Sequence, residues 1–262
     1  MAAPPAPPVR PFGPWRVLGY TLAIFLLYSI LQVVAGLFVL LAAMIVGKLT
    51  GHPLALSTHM GPNGLPSGLP LGLILGGGTV LAAPVATWLT VWLARRRLPG
   101  RDALREFFGL RPAGFRQILV WTLALVVFAF GFESLASYLE RPEIPPFMRD
   151  ILQGPNAFMP LLWLAVVVAA PVLEEVLFRG FLFGGLRTSR LGSWGALAVT
   201  SLCFAVIHTQ YDWFDMSAVL VLGVVLGLAR LYSGSVYLPI GLHALHNFAS
   251  MLFTTLYLQK GG

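Results

Sequence analysis

The sequence predicts an all-α fold, a polytopic bundle of transmembrane helices, and three observations lead there. Only 10% of the 262 residues are charged and 57% are hydrophobic, whereas a soluble domain carries about 25% charged residues. Unbroken apolar runs of about 20 residues recur along the chain, each enough for a helix to cross a ~30 Å hydrocarbon layer. None of these runs alternates polar with apolar as a barrel strand must, so helices are left to satisfy the backbone inside a bilayer. The net charge of +7, from 17 Lys and Arg against 10 Asp and Glu, fits arginines kept in cytoplasmic loops better than a nucleic-acid surface. Cys203 is the only cysteine, which excludes an internal disulfide, and its apolar neighbours make it a small core residue.

Taken in order, residues 1–16 hold six prolines and two arginines and form an extended cytoplasmic tail. The run at 17–47 carries no charge and is far longer than the 7–15-residue core of a signal peptide. As one helix it must tilt or protrude; split in two, it would raise the total from seven spans to eight. A Gly- and Pro-rich loop at 48–70 carries His52 and His59, with no carboxylate or cysteine beside them. A second span covers 71–93. The loop that follows, 95–116, has seven arginines against Asp102 and Glu106 and is assigned to the cytoplasm. Within it, residues 103–110 have the pattern of a short amphipathic helix suited to anionic lipid. The third span starts near residue 118 and has Glu133 near its far end, read as interfacial. The proline-rich loop at 140–150 then falls on the opposite side. The fourth span is 160–187, the fifth 194–208 and the sixth 217–231, with Gly223 and Gly227 spaced for close helix approach. The seventh, opened by Pro239, runs to residue 258. The chain thus divides into a tail (1–16), an N-terminal region of three spans with the arginine loop (17–156), and a core of four spans (157–258).

The chemistry concentrates in that core. Glu174, Glu175 and Arg179 interrupt an apolar run, where a carboxylate costs about 2.5–3.5 kcal/mol on insertion scales. Glu175 and Arg179 are four apart with the acid first, the favourable order for a helical ion pair. Glu174 is rotated by about 100° from its neighbour, so Arg179 neutralises Glu175 and leaves Glu174 facing elsewhere. A charge cluster that merely locks two helices is the competing structural reading. In a fourth–fifth helical hairpin turning near Leu191, Glu174 and His208 are each 17 residues from the turn, which sets them at one depth. His243 and Asn247, four apart, share a helix face, with His246 turned partly aside, and both can donate to one oxygen. A base, a partner that orients water and an oxyanion site are the parts needed for peptide hydrolysis.

The set Glu174-Glu175-x-x-x-Arg179, Phe204-x-x-x-His208 and His243-x-x-x-Asn247, in that order on successive spans, resembles the three motifs of the CAAX protease and bacteriocin-processing family. That family, also called CPBP or Abi, includes the type II CAAX prenyl endopeptidases of eukaryotes. The resemblance covers roughly 158–258, and every motif position is filled. It implies an intramembrane endopeptidase in which Glu174 and His208 activate water, His243 and Asn247 stabilise the oxyanion, and Glu175, Arg179 and Phe204 support them. It also implies two mechanisms, one with Zn2+ held by Glu174, His208 and His243 and one free of metal, and spacing does not choose between them. The expected substrate is a membrane-anchored or prenylated protein or peptide, the partner is membrane lipid, and nucleic acid has no part. Richness in Ala, Arg, Gly and Pro suggests a bacterial plasma membrane, with the N-terminus in the cytoplasm. Leader processing, bacteriocin immunity and trimming of membrane proteins are then all open roles. Two other function classes compete. A proton-coupled carrier would use Glu174 and His208 as a relay but has no need of the His243 and Asn247 pair, and a catalytically silent scaffold would keep the fold alone.

Overall fold

A computed structural model of the chain describes residues 12–54, 71–152 and 159–260. Most of the proline-rich tail, and the loop segment that contains His59, lie outside the described residues. The described residues are helical, with no strand among them. In chain order the helices are α1 (Pro14–Leu49), α2 (Leu71–Arg95), α3 (Gly100–Phe108), α4 (Phe115–Tyr138) and α5 (Pro146–Leu152). After these come α6 (Met159–Leu186), α7 (Gly192–Val206), α8 (Trp213–Ser233) and α9 (Tyr237–Gln259). Five of them, α1, α2, α4, α6 and α8, are long and apolar enough to cross a membrane. With 15 residues, α7 is apolar but short, and the apolar pattern of α9 is broken by His243, His246 and Asn247.

Local chemistry accounts for several ends. Pro14 and Pro146 open α1 and α5, the helical position at which a missing N–H costs nothing. The Asp212 side chain caps α8 by accepting from the N–H groups of Phe214 (2.9 Å) and Asp215 (3.0 Å), as N-cap carboxylates do. Gly234 ends the same helix at φ 66°, with the Arg111 guanidinium packed over it where a side chain would stand. α1 is one continuous helix of 36 residues, about 54 Å long at 1.5 Å per residue. It is not divided into two spans, and its length exceeds the bilayer core as the apolar run required. His52, just beyond it, is exposed, and so is Glu133, near the end of α4.

The chain forms two compact units. The first comprises Met1–Ile24, Thr87–Ala129 and Glu174–Leu242. Its apolar centre is Leu125, Leu222, Leu226, Ala229, Leu238 and Leu242. Helices α7 and α8 lie close because Gly223 meets Ser201 and Phe204, and Gly227 meets Leu197, the contact that the small-residue spacing called for. The short helix α3 corrects the lipid-surface expectation. Its Phe107 and Phe108 are 5% and 1% exposed, packed on Gly184 and Gly180 of α6, while Arg101 and Arg105 face out. The apolar face finds a protein groove made by glycines, so lipid is not needed to cover it.

The second unit comprises Phe25–Ala86, Phe130–Leu173 and His243–Gly262. Within it α1 and α2 approach closely at glycines, Gly77 meeting Val39 and Gly78 meeting Gln32. Gln32 Nε2 donates to Thr79 Oγ1 at 2.7 Å, a polar link between apolar helices. The Trp163 and Phe248 rings, 5.5 Å between centroids, join α6 to α9.

Candidate functional site

The Glu175 and Arg179 pair is built as the spacing predicts. Both side chains are 0% exposed and Arg179 Nη1 meets Glu175 Oε1 at 2.8 Å. A single carboxylate does not use all the donors of a guanidinium. A second nitrogen, Nη2, donates to the Gly223 carbonyl of α8 at 3.0 Å, and the guanidinium carbon stands 4.3 Å over the Phe204 ring of α7. One buried cation thus ties α6, α7 and α8 together through an acid, a carbonyl and an aromatic face. Glu175→Gln is expected to destabilise the protein by about 3–5 kcal/mol, because it leaves Arg179 buried without its counter-charge. Thermal unfolding of detergent-solubilised protein reads this, and an unchanged midpoint would contradict it.

Helix α6 does not keep the 3.6-residue period throughout. Ala165–Ala169 and Val176–Leu182 are π-helical, a wider turn frequent at functional sites, and together they bracket Glu174 and Glu175. One side chain from another helix serves a carbonyl in each. Arg230, 1% exposed in α8, donates from Nε to the Arg179 carbonyl (3.1 Å) and from Nη2 to the Phe107 carbonyl (3.4 Å). Asn247 does the same for Val166, as described below. Sequence reading missed Arg230, although a signal was present. An arginine inside an apolar run, with no acid three or four residues away on its helix, needs a partner from elsewhere in the fold.

Glu174 is half-buried, in contrast with Glu175. The Phe178 and Phe204 rings stand 5.8 Å apart. Glu174, four residues before the first, is near enough to Tyr211 for its charge to act on that phenol, and Tyr211 stacks on the imidazole of His208, four residues after the second. The His208 imidazole is fixed in orientation. Its Nδ1 lies 2.7 Å from the Phe204 carbonyl, and a carbonyl only accepts, so Nδ1 carries a proton, and in the neutral ring Nε2 presents the lone pair. Two rings contact it, Phe204 at 4.8 Å and the parallel Tyr211 at 6.2 Å. Tyr211 is a second residue that sequence reading passed over. Burial pushes its phenol up to about 12, with the Asp215 and Glu174 carboxylates adding to the effect, so it stays a neutral donor across the physiological range.

The remaining candidates belong to the second unit. His243 is 3% exposed. Asn247, one turn further along α9, is half-buried and donates from Nδ2 to the Val166 carbonyl at 2.9 Å. A carboxamide has two N–H bonds, so one donor is used by the π segment and one is left. His246 is half-buried as well. Arg179 is thus in contact with both Glu175 and Phe204, Glu174 and His208 both neighbour Tyr211, and His243 and Asn247 lie one turn apart on α9. Among the described residues no group of three His, Cys, Asp or Glu side chains is placed to hold one metal ion.

Comparison with known proteins adds a family match over part of the chain. The family described as "Type II CAAX prenyl endopeptidase Rce1-like" matches residues 156–249. A protein of Escherichia coli, named only "Uncharacterized 24.3 kDa protein", is 30% identical over 135 residues, 50% of this chain and 61% of that one. A protein of Lactococcus lactis, "UPF0177 protein YbdI", is 27% identical over 105 residues, 37% of this chain and 55% of that one. This chain therefore spans less than two thirds of either relative's length. No solved structure matches.

Proposed function

We propose, from the match of residues 156–249 to the family described as "Type II CAAX prenyl endopeptidase Rce1-like", that this integral membrane protein cleaves peptide bonds of membrane-anchored proteins or peptides. The observation that carries the reading is the orientation of His208. Its Nδ1–H is spent on the Phe204 carbonyl, which leaves Nε2 of the neutral ring as an acceptor beside Tyr211, the residue on which Glu174 also acts. A water that donates to both is polarised for attack. In the proposed step Glu174 takes one water proton as the new C–O bond forms. By their match to the family's third motif, His243 and Asn247 donate to the oxygen that becomes negative. Collapse breaks the C–N bond, and the proton held by Glu174 passes to the leaving nitrogen. No step is routed through a metal.

We count α7 and α9 as crossings beside the five long helices, which gives seven, with the N-terminus in the cytoplasm of a bacterial cell. Both named relatives are bacterial, and a bacterial substrate has no need of a prenyl group. The test is cleavage of a fluorogenic, lipid-anchored peptide by purified protein after washing with chelator, with zinc measured in the same sample. Turnover with zinc far below one ion per chain is expected. Turnover that is lost on washing and returns with zinc would overturn the metal-free mechanism, and no cleavage under either condition would count against the protease.

A further inference from the structure

Where the ends of α3, α6 and α8 meet in the first unit, three guanidiniums converge. Arg187, just past α6, donates from Nη2 to the Glu106 carbonyl (3.4 Å). Arg230 of α8 donates from Nη2 to the next carbonyl, that of Phe107 (3.4 Å). The Arg230 guanidinium lies against Gly109 and the Arg111 guanidinium against Gly234. The Val236 N–H joins the two turns through the Gly109 carbonyl (2.9 Å). Both glycines have positive φ, 71° and 66°, and neither leaves room for a Cβ, so the approach of the cations is built into the backbone. The Arg187 and Arg111 charges both act on Arg230.

The carbonyls at the end of α3 account for part of this, since a helix C-terminus favours cations, but they leave the charges in place. Against them stands Glu106, whose carboxylate is 4.0 Å from Arg187 Nη2 and 84% exposed, a solvated pair of little weight. Among the described residues no carboxylate pairs with Arg111 or Arg230, and the segments 1–11, 55–70 and 153–158 contain no Asp or Glu. The other acids of this unit are engaged elsewhere. Glu175 holds Arg179, Asp102 faces Arg105, Asp212 and Asp215 open α8 at its other end, and Glu174 acts on Tyr211. Aromatic residues give the depth. Tyr232, two residues before Gly234, stacks on Trp121 (6.2 Å) and meets Trp194 edge-on (6.4 Å). Tyr232 and Trp194 are largely exposed, and such residues on spanning helices gather at a membrane–water interface, which sets the arginines at headgroup level. Arg111 is exposed and Arg187 half-buried, while Arg230 is 1% exposed. Guanidiniums of this kind take two oxygens of a phosphate at once, and basic pockets between spanning helices take phospholipid headgroups.

We infer that Arg111, Arg187 and Arg230 form a site for the phosphate group of a membrane phospholipid. Arg111 and Arg187 contact its oxygens, Arg230 adds charge from within, and the bound lipid holds the ends of α3, α6 and α8 together. A free phosphate offers the same chemistry, and the aromatic level favours the headgroup. The site is independent of the protease reading, and its test needs no activity. The measurement is the thermal unfolding midpoint of purified protein in detergent, with phosphatidylglycerol, diacylglycerol of the same chains or inorganic phosphate added at equal concentration. A saturable rise with phosphatidylglycerol alone is expected for the wild type, and little or none for the Arg111→Gln, Arg187→Gln double variant. Arg111→Gln alone, at an exposed position, repeats the test where the double variant does not fold, and is expected to need severalfold more lipid for the same rise. The Arg101→Gln, Arg116→Gln pair removes equal charge from exposed positions nearby and is expected to keep the rise. An equal rise with diacylglycerol, an unchanged rise in the Arg111 variants, or an equal loss in the Arg101 and Arg116 pair would overturn the site. An equal rise with inorganic phosphate would overturn the lipid as its occupant.

Discussion

Glu174→Gln is expected to lower kcat by on the order of 10²–10⁴, the usual contribution of a general base, with the amount of folded protein unchanged. The separation of the two adjacent glutamates leads to this. Glu175 is 0% exposed and holds Arg179 at 2.8 Å, so its charge is needed for the fold. Glu174 is half-buried on another helix face, while the cation donates to Glu175 and Gly223 and lies over Phe204. An amide in place of its carboxylate keeps the shape and removes the proton acceptor. Substrate binding does not require that acceptor, so KM is expected to change little. The measurement pairs turnover on a lipid-anchored fluorogenic peptide with the thermal midpoint of the same preparation. Loss of activity with an equal loss of stability would make Glu174 a second structural acid.

Five of the spans were legible because an apolar run of bilayer length has few other uses, and the ends of α6 came within a residue of expectation. The end of α7 did not. The expected helix ran to His208, but it stops at Val206. The His208 N–H turns back to Ala205 O at 3.0 Å, and the imidazole, not a backbone N–H, takes the Phe204 carbonyl. A side chain that competes for its own helix's carbonyl leaves no mark on hydrophobic periodicity. The π-helical segments were invisible for a related reason. Their frayed carbonyls are served by Arg230 and Asn247, 51 and 81 residues away in sequence, so the geometry depends on tertiary contact. Among the site residues, the Glu175 and Arg179 pair could be read because it lies within one turn of one helix. Tyr211 could not, since its bearing on His208 comes from a loop that folds back by three residues.

Asn247→Ala is expected to lower kcat by about 10²–10³, or ~2.7–4 kcal/mol, with substrate affinity nearly unchanged. A donor to the developing oxyanion acts mainly in the transition state, where charge builds on the carbonyl oxygen. The structure adds a second job to this residue, since its Nδ2 already donates to the Val166 carbonyl at 2.9 Å. Removing that bond costs about 0.5–1.5 kcal/mol of stability on the usual scale for a neutral hydrogen bond. This loss is smaller than the kinetic effect and leaves the protein folded. The two effects are separable: the stability loss appears in the thermal midpoint, and the oxyanion loss in kcat at saturating substrate. A proton-coupled carrier gives another pattern, in which Asn247→Ala alters coupling or affinity and there is no bond-breaking rate to lose. The experiment is single-turnover cleavage of the lipid-anchored peptide by purified Asn247→Ala protein, with binding followed separately by peptide fluorescence. Turnover within about twofold of wild type, alongside the lowered midpoint, would leave Asn247 as a support for the π segment and remove it from the chemistry.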